Sequence, residues 1–191
     1  ATGVITRKGR VEDGNTISDY DKEEINRKFS ISASVIPVEW NGLKINILDA
    51  PGYFDFVGQL EDAMSVADAA VIVVNGKAGV EVGTIKAWEI CERRRIPRIF
   101  FVTNMDSPNA KYMETVEQFG KKVAPFHLPI LENDKLTGYV NVVKMGGRKF
   151  LDDAGNYTER DIPDSVKTKL EPVREQLMEA VAESDEELMD K

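Results

Sequence analysis

Two loops in this sequence combine a carboxylate with the backbone freedom that phosphate or base recognition requires. In Leu48-Asp49-Ala50-Pro51-Gly52 an aspartate follows an apolar run. At such a place it can hold a magnesium ion through water, while Gly52 can bring its backbone N–H close to a phosphate oxygen. Taken alone, Asp-x-Pro-Gly is also an ordinary turn. In Thr103-Asn104-Met105-Asp106 a second aspartate follows a second apolar run. Its carboxylate can accept two parallel hydrogen bonds from N1 and the exocyclic amine of guanine, a geometry adenine cannot supply. Alone, Asp106 or Ser107 could equally cap the next helix. Both loops at strand ends, in this order, make the stronger case.

The composition narrows the alternatives. The 191 residues are 42% hydrophobic, enough for a real core in one domain or a domain with a small appendage. Net charge −8 argues against binding nucleic acid by general phosphate neutralisation, so any contact with an RNA-rich partner must be local, and no sequence-specific nucleic acid is expected. The charge is concentrated in residues 171–191, where eight acidic side chains face Arg174 and Lys191, leaving −6. Cys91 is the single cysteine, which excludes an internal disulfide and multi-cysteine metal sites and suits a cytoplasmic setting. The single histidine, His127, reads as a strand residue in Phe126-His127-Leu128-Pro129-Ile130, which disfavours histidine-based hydrolysis. No apolar run reaches the roughly twenty residues of a membrane span, and Ala1-Thr2-Gly3 suggests a cloned fragment.

The elements that would position the two loops follow from periodicity and turn chemistry. Residues 34–40 and 43–49 are extended runs joined by Asn41-Gly42, a pair suited to a tight hairpin, with Pro37 marking a sheet edge. A short helix is expected over 57–66, a strand buried on both faces over 69–74, a helix over 82–95, a third buried strand over 99–102 and a helix over 110–119. Alternating apolar strands and helices predict a mostly parallel sheet covered on both sides. From about Lys121 short strands at 127–130, 139–143 and 148–151 suggest a small antiparallel insertion. Val166, Leu170, Val173, Leu177 and Val181 then share one helical face, with Pro172 expected to kink or start that helix. Ser184 and Glu187 match a capping box for a further short helix.

The stretch from Ala1 to Gly14, the run Leu48-Asp49-Ala50-Pro51-Gly52-Tyr53-Phe54-Asp55-Phe56 and Asn104-Met105-Asp106 resemble elongation factor G and its paralogues, which include the tetracycline-resistance ribosome protection proteins. The resemblance runs from Ala1 to Lys191 and includes the family's inserted subdomain at Leu128-Pro129-Ile130 and Asp185 to Met189. It implies a P-loop GTPase-type α/β domain, truncated at its amino terminus, over 1–120, and an α+β inserted subdomain over 121–191.

It also implies GTP and magnesium as the parent protein's ligands, and the ribosome, its stalk and factor-binding region, as partner. By the same resemblance Asp49, Gly52, Thr103, Asn104 and Asp106 contact GTP, and Ser30 and Asp49 hold magnesium. Tyr53 stands in the slot of the family's water-positioning histidine, and Lys28 replaces the glycine of the first switch motif. Thr103 and Asn104 occupy the asparagine and lysine slots of the guanine motif. These departures put fast hydrolysis in doubt and reduce the expected affinity while preserving guanine preference.

No Gly-x-x-x-x-Gly-Lys-Ser/Thr occurs in the 191 residues, so this chain by itself is expected to bind no GTP. The Ser-Ala base-contacting motif is expected beyond Lys191. The family's first strand normally lies between those formed here by 45–48 and 71–74. Its absence predicts that these two strands close up directly or pair with another copy.

Overall fold

The computed structural model describes residues 9–107, 109–120, 123–133, 135–152 and 155–182. It is an α/β protein that divides into two compact units, one reaching Val73 and including Glu81–Phe101, the other comprising Val74–Val80 and everything from Val102 onward.

In the first unit α1 (Lys22–Arg27) precedes a hairpin of β1 (Ser34–Trp40) and β2 (Leu43–Asp49). The hairpin pairs antiparallel from Ser34↔Asp49 to Trp40↔Leu43, and its turn works because Asn41 and Gly42 take φ of 51° and 76°. A single 3-10 turn (Phe54–Phe56) leads into α2 (Val57–Val66). The strand β3 (Ala70–Asn75), the helix α3 (Val82–Arg94) and the strand β4 (Arg98–Thr103) follow. Ala70 N–H donates to the Pro97 carbonyl and Gly76 N–H to that of Thr103, so β3 and β4 run in the same direction.

The sheets are mixed rather than mostly parallel. Of the three sheets among the described residues, β3–β4 is the parallel one, whereas β1–β2 and the four-stranded β5–β8 sheet are antiparallel. Strands β2 and β3 are not hydrogen-bonded to each other, so the expected direct closure does not occur. Between them in the chain lies α2, tied to α3 by Glu61, which bridges Arg93 and Arg94. Nor are β3 and β4 covered twice. Trp88 of α3 stacks on Phe100 at 5.4 Å, covering one face, while Val71, Val73, Ile99 and Phe101 are each more than half exposed on the other. An unbroken apolar run announces a strand but does not count the layers that cover it.

The second unit carries α4 (Tyr112–Phe119) and the order β5 (His127–Glu132), β6 (Lys135–Asn141), β7 (Gly146–Phe150), β8 (Tyr157–Arg160), α5 (Asp164–Ala182). Its core is one cluster: Leu128 and Ile130 of β5, Val140 and its neighbour Val142, and Val166, Leu170, Val173 and Leu177 of α5. The four helical residues are those singled out by their spacing, whereas Val181 is 41% exposed. Pro172 neither starts the helix, which begins at Asp164, nor ends it. The capping box at Ser184 and Glu187 lies outside the described residues.

Leu128→Ala is expected to cost about 2–5 kcal/mol by opening a cavity in this cluster. Val71→Ala, on the uncovered face of β3, should cost about 0.5 kcal/mol or less. Urea unfolding followed by circular dichroism separates the two. Equal losses would mean that the face of β3 is covered after all.

Candidate functional site

The first unit holds the loop at Asp49, and a buried carboxylate organises the segment that packs against it. Asp21 caps α1, accepting from the Glu23 N–H at 2.7 Å, and its own N–H donates to Glu24 at 3.3 Å. Glu24 is only 2% exposed, and its other oxygen accepts the N–H groups of Ile31 at 2.9 Å and Ser32 at 3.0 Å. Burial pushes this carboxyl up, but the three backbone donors outweigh it and hold Glu24 below the ordinary 4.5 of a glutamate. Lys28 turns the chain between helix and clamp with φ 59°, a left-handed conformation that glycine would adopt without strain.

The segment thus fixed carries Phe29 and Ser30. The Ser30 hydroxyl donates to Asp19 at 2.7 Å, and the Ala33 N–H donates to Gln59 of α2 at 2.8 Å. Asp49 ends β2 opposite Ser34, and its carboxylate meets no partner among the described residues. Pro51 is buried and Gly52 exposed, with open space where a Cβ would stand. From the other side α3 comes close: a Cβ on Gly83 would lie 2.6 Å from the Gly52 carbonyl oxygen, so Gly83 admits the loop only by lacking a side chain. Tyr53 is 58% exposed and its ring rests 4.8 Å from that of Phe29, with Phe56 at 6.3 Å from Phe29. A ring contact thereby joins the Ser30 segment to the loop that begins at Asp49.

The second unit holds the other loop. Thr103 leaves β4 with its hydroxyl on the Val74 carbonyl at 3.4 Å and its carbonyl accepting the Gly76 N–H at 2.9 Å. Gly76 has no room for a Cβ, which would meet the Thr103 oxygen at 2.9 Å. Asn104 takes φ 53°, tolerable for asparagine. Met105 is buried, and Asp106 is exposed with no side-chain partner among the described residues. Thr103 thus ties the start of the loop to the end of β3.

The donor set suits a nucleotide's magnesium better than a protein-made cage. Among the described residues no group of three or more His, Cys, Asp or Glu is placed to hold a metal. Magnesium characteristically takes one or two carboxylates, keeping water and phosphate oxygens for its other positions, which Asp49 alone can satisfy. Ser30 could join through a lone pair of the hydroxyl oxygen while its proton stays directed at Asp19. Sequence reasoning overlooked Asp19, Glu24, Gln59 and Gly83; the spacing Asp21-x-x-Glu24, a capping box, was the one signal that could have revealed α1 and its clamp.

The sequence profile of the family described as "Elongation factor Tu GTP binding domain" matches residues 1–187. The chain is 34% identical over 188 residues to the elongation factor G of Thermotoga sp. strain RQ2, covering 96% of this chain and 27% of that one. The Thermotoga maritima elongation factor G matches at the same identity and coverage. A crystal structure from Thermus thermophilus superposes with TM-score 0.90 at 34% identity, over 100% of this chain and 29% of the other. The chain therefore spans less than a third of the length of these relatives.

Glu24→Ala removes a charged acceptor from two N–H groups at once and should loosen residues 28–33 by about 2 kcal/mol or more. Because the carboxyl titrates lower folded than unfolded, its contribution is full above pH 4.5 and is lost as the pH falls through the folded value. Amide exchange at Ile31 and Ser32 should accelerate about thirtyfold in the variant at pH 7, and in the parent only under acid. Unchanged exchange in Glu24→Ala would rule out the clamp.

Proposed function

The chain belongs to the elongation factor Tu GTP-binding domain family, and from that premise we propose that it forms part of a cytoplasmic, elongation factor G-like GTPase that binds GTP with magnesium and drives translocation on the ribosome. One observation carries the reading: Asp49 ends β2 with a carboxylate that has no partner among the described residues, followed by an exposed Gly52 with open space around it. That is the arrangement a terminal phosphate and its magnesium require. Asp106 supplies guanine selection, with Thr103 and Asn104 shaping its loop. Tyr53 stands where an attacking water would be oriented, and Ser30 is the hydroxyl available to the metal. We assign residues 1–120 to the nucleotide domain and 121–191 to the inserted subdomain. The exposed acidic side chains Glu171, Glu175 and Glu179 of α5 are the surface we assign to the ribosomal stalk. The edges of β2 and β3 that are unpaired among the described residues provide for self-association of the isolated chain.

The second reading is a ribosome-binding or ribosome-protecting paralogue with weak or no turnover. It is favoured by the contact between Tyr53 and Phe29, since a phenol packed on a ring is a poor substitute for an imidazole that orients water. Single-turnover hydrolysis by the longer protein containing this chain separates the two. Ribosome-stimulated phosphate release is expected; none would leave the binding paralogue.

In that longer protein Asp106→Ala should weaken GTP at least about tenfold by removing two charge-assisted hydrogen bonds, with much less effect on ATP. Equal losses for both nucleotides would sink the assignment. Tyr53→His should raise hydrolysis at least about tenfold, toward the 10²–10⁴ a positioned base contributes. For the 191-residue chain alone, calorimetry should detect no GTP binding tighter than micromolar.

A further inference from the structure

The four-stranded sheet uses one face for its core and leaves the other to solvent. Leu128, Ile130 and Val140 lie in the core cluster with α5, so strand alternation sends their neighbours His127, Tyr139, Arg148 and Tyr157 to the opposite face. These four form a ladder across all four strands. The His127 ring meets Tyr139 edge-on at 4.7 Å, the Arg148 guanidinium donates to the Tyr139 hydroxyl at 2.9 Å, and the same guanidinium sits 4.1 Å over the Tyr157 ring. Partial desolvation, and then Arg148, lower the titration of His127 below the ordinary histidine value. The ladder is not closed off: Tyr157 is 45% exposed, and His127 is exposed as well.

Beside the ladder lies an open cleft of about 260 Å³ lined by Lys144, Arg148 and Arg160, together with the carboxylate of Glu159. Arg160 also pairs with Glu132 at 2.9 Å, whereas Lys144 is exposed with no ion-pair partner among the described residues. The patch is cationic in a chain of net charge −8. Arg148 belongs to both features: it lines the cleft and stacks on Tyr157. A ligand that matches both must carry a planar ring next to an anion, and repeat the pair at short spacing to span the strands. We propose that this face binds an unpaired RNA strand, a phosphate entering the cleft at Lys144 and Arg148 while a base stacks on Tyr157 or His127. Stacking of this kind tolerates any base, in keeping with a chain that presents no base-reading helix or loop here. Acidic peptides offer the anion without the ring, and duplex RNA hides its ring faces. The proposal is separate from the guanine reading, because it needs neither GTP nor the loops at Asp49 and Asp106.

The test is fluorescence anisotropy of a labelled octauridylate titrated with the 191-residue chain, without nucleotide, at low and physiological salt. Saturable binding is expected, weakening with salt at a logarithmic slope of about −1.4 for the two phosphate contacts of Lys144 and Arg148. Tyr157→Ala and Lys144→Glu should each reduce affinity about tenfold, and circular dichroism checks that both surface variants keep their fold. Absence of saturable binding overturns the proposal. So does binding that survives both variants, or a polyglutamate peptide or an RNA duplex that competes as well as the unlabelled single strand.

Discussion

A carboxylate that is almost wholly buried stays ionised only if the protein delivers hydrogen atoms to its oxygens, and Glu24 imposes that demand on its whole neighbourhood. The donors come from Ile31, Ser32 and Asp21. Two of them lie beyond the end of α1, so the chain must turn back at Lys28 to bring them in. That reversal sets Phe29 against Tyr53 and the Ser30 hydroxyl against Asp19. The residues that could sense a terminal phosphate are therefore placed by a group that never touches one. Gln59 of α2 extends the same logic by accepting from Ala33, tying the clamp to the helix that follows the Asp49 loop.

Close backbone approaches fix the remaining geometry, and they fall at glycines because nothing larger fits. Gly83 lets the start of α3 sit against the Gly52 carbonyl, and Gly76 lets the end of β3 meet Thr103. In both places the loop that ends in a candidate aspartate or follows it is approached closely by main chain. Main-chain support leaves Asp49 and Asp106 uncommitted among the described residues, as a carboxylate must be if it is to accept a metal's water or a base.

How much of this the sequence disclosed depended on how local each cause was. Both strands of the first hairpin run from Ser34 to Trp40 and Leu43 to Asp49 as the pattern predicted, because alternation and Asn41-Gly42 act within a few residues. The apolar stripe of α5 was equally legible, since Val166, Leu170, Val173 and Leu177 differ by three or four positions. Helix α1 was not, because its six residues are too few to show a period. Strand β8, Tyr-Thr-Glu-Arg, has no apolar alternation to notice. β6 begins at Lys135 rather than Tyr139, its early pairing, Glu132↔Lys135 and Leu131↔Leu136, lying before the run of residues that alternates clearly. The types of the candidate site residues could be read directly. Their partners could not, because the bond from Ser30 to Asp19 spans eleven positions and depends on the clamp between them.

The contact that joins Phe29 to Tyr53 is a weak one. An aromatic pair contributes about 0.5–1.5 kcal/mol beyond its buried area, and a hydrogen bond to a charged acceptor such as the one from Ser30 to Asp19 about 1.5–3 kcal/mol. Together they amount to about 2–4.5 kcal/mol. A ligand present at a hundred to a thousand times its dissociation constant supplies about 2.7–4.1 kcal/mol to the state it prefers. The two quantities match, so a ligand that binds better with both contacts open could part them at such concentrations. Glu24 is a different matter: its several charge-assisted bonds exceed that range, and the clamp would persist through the change. Residues 31–33 would then act as the fixed end of the segment, with Phe29 and Ser30 as the part that moves.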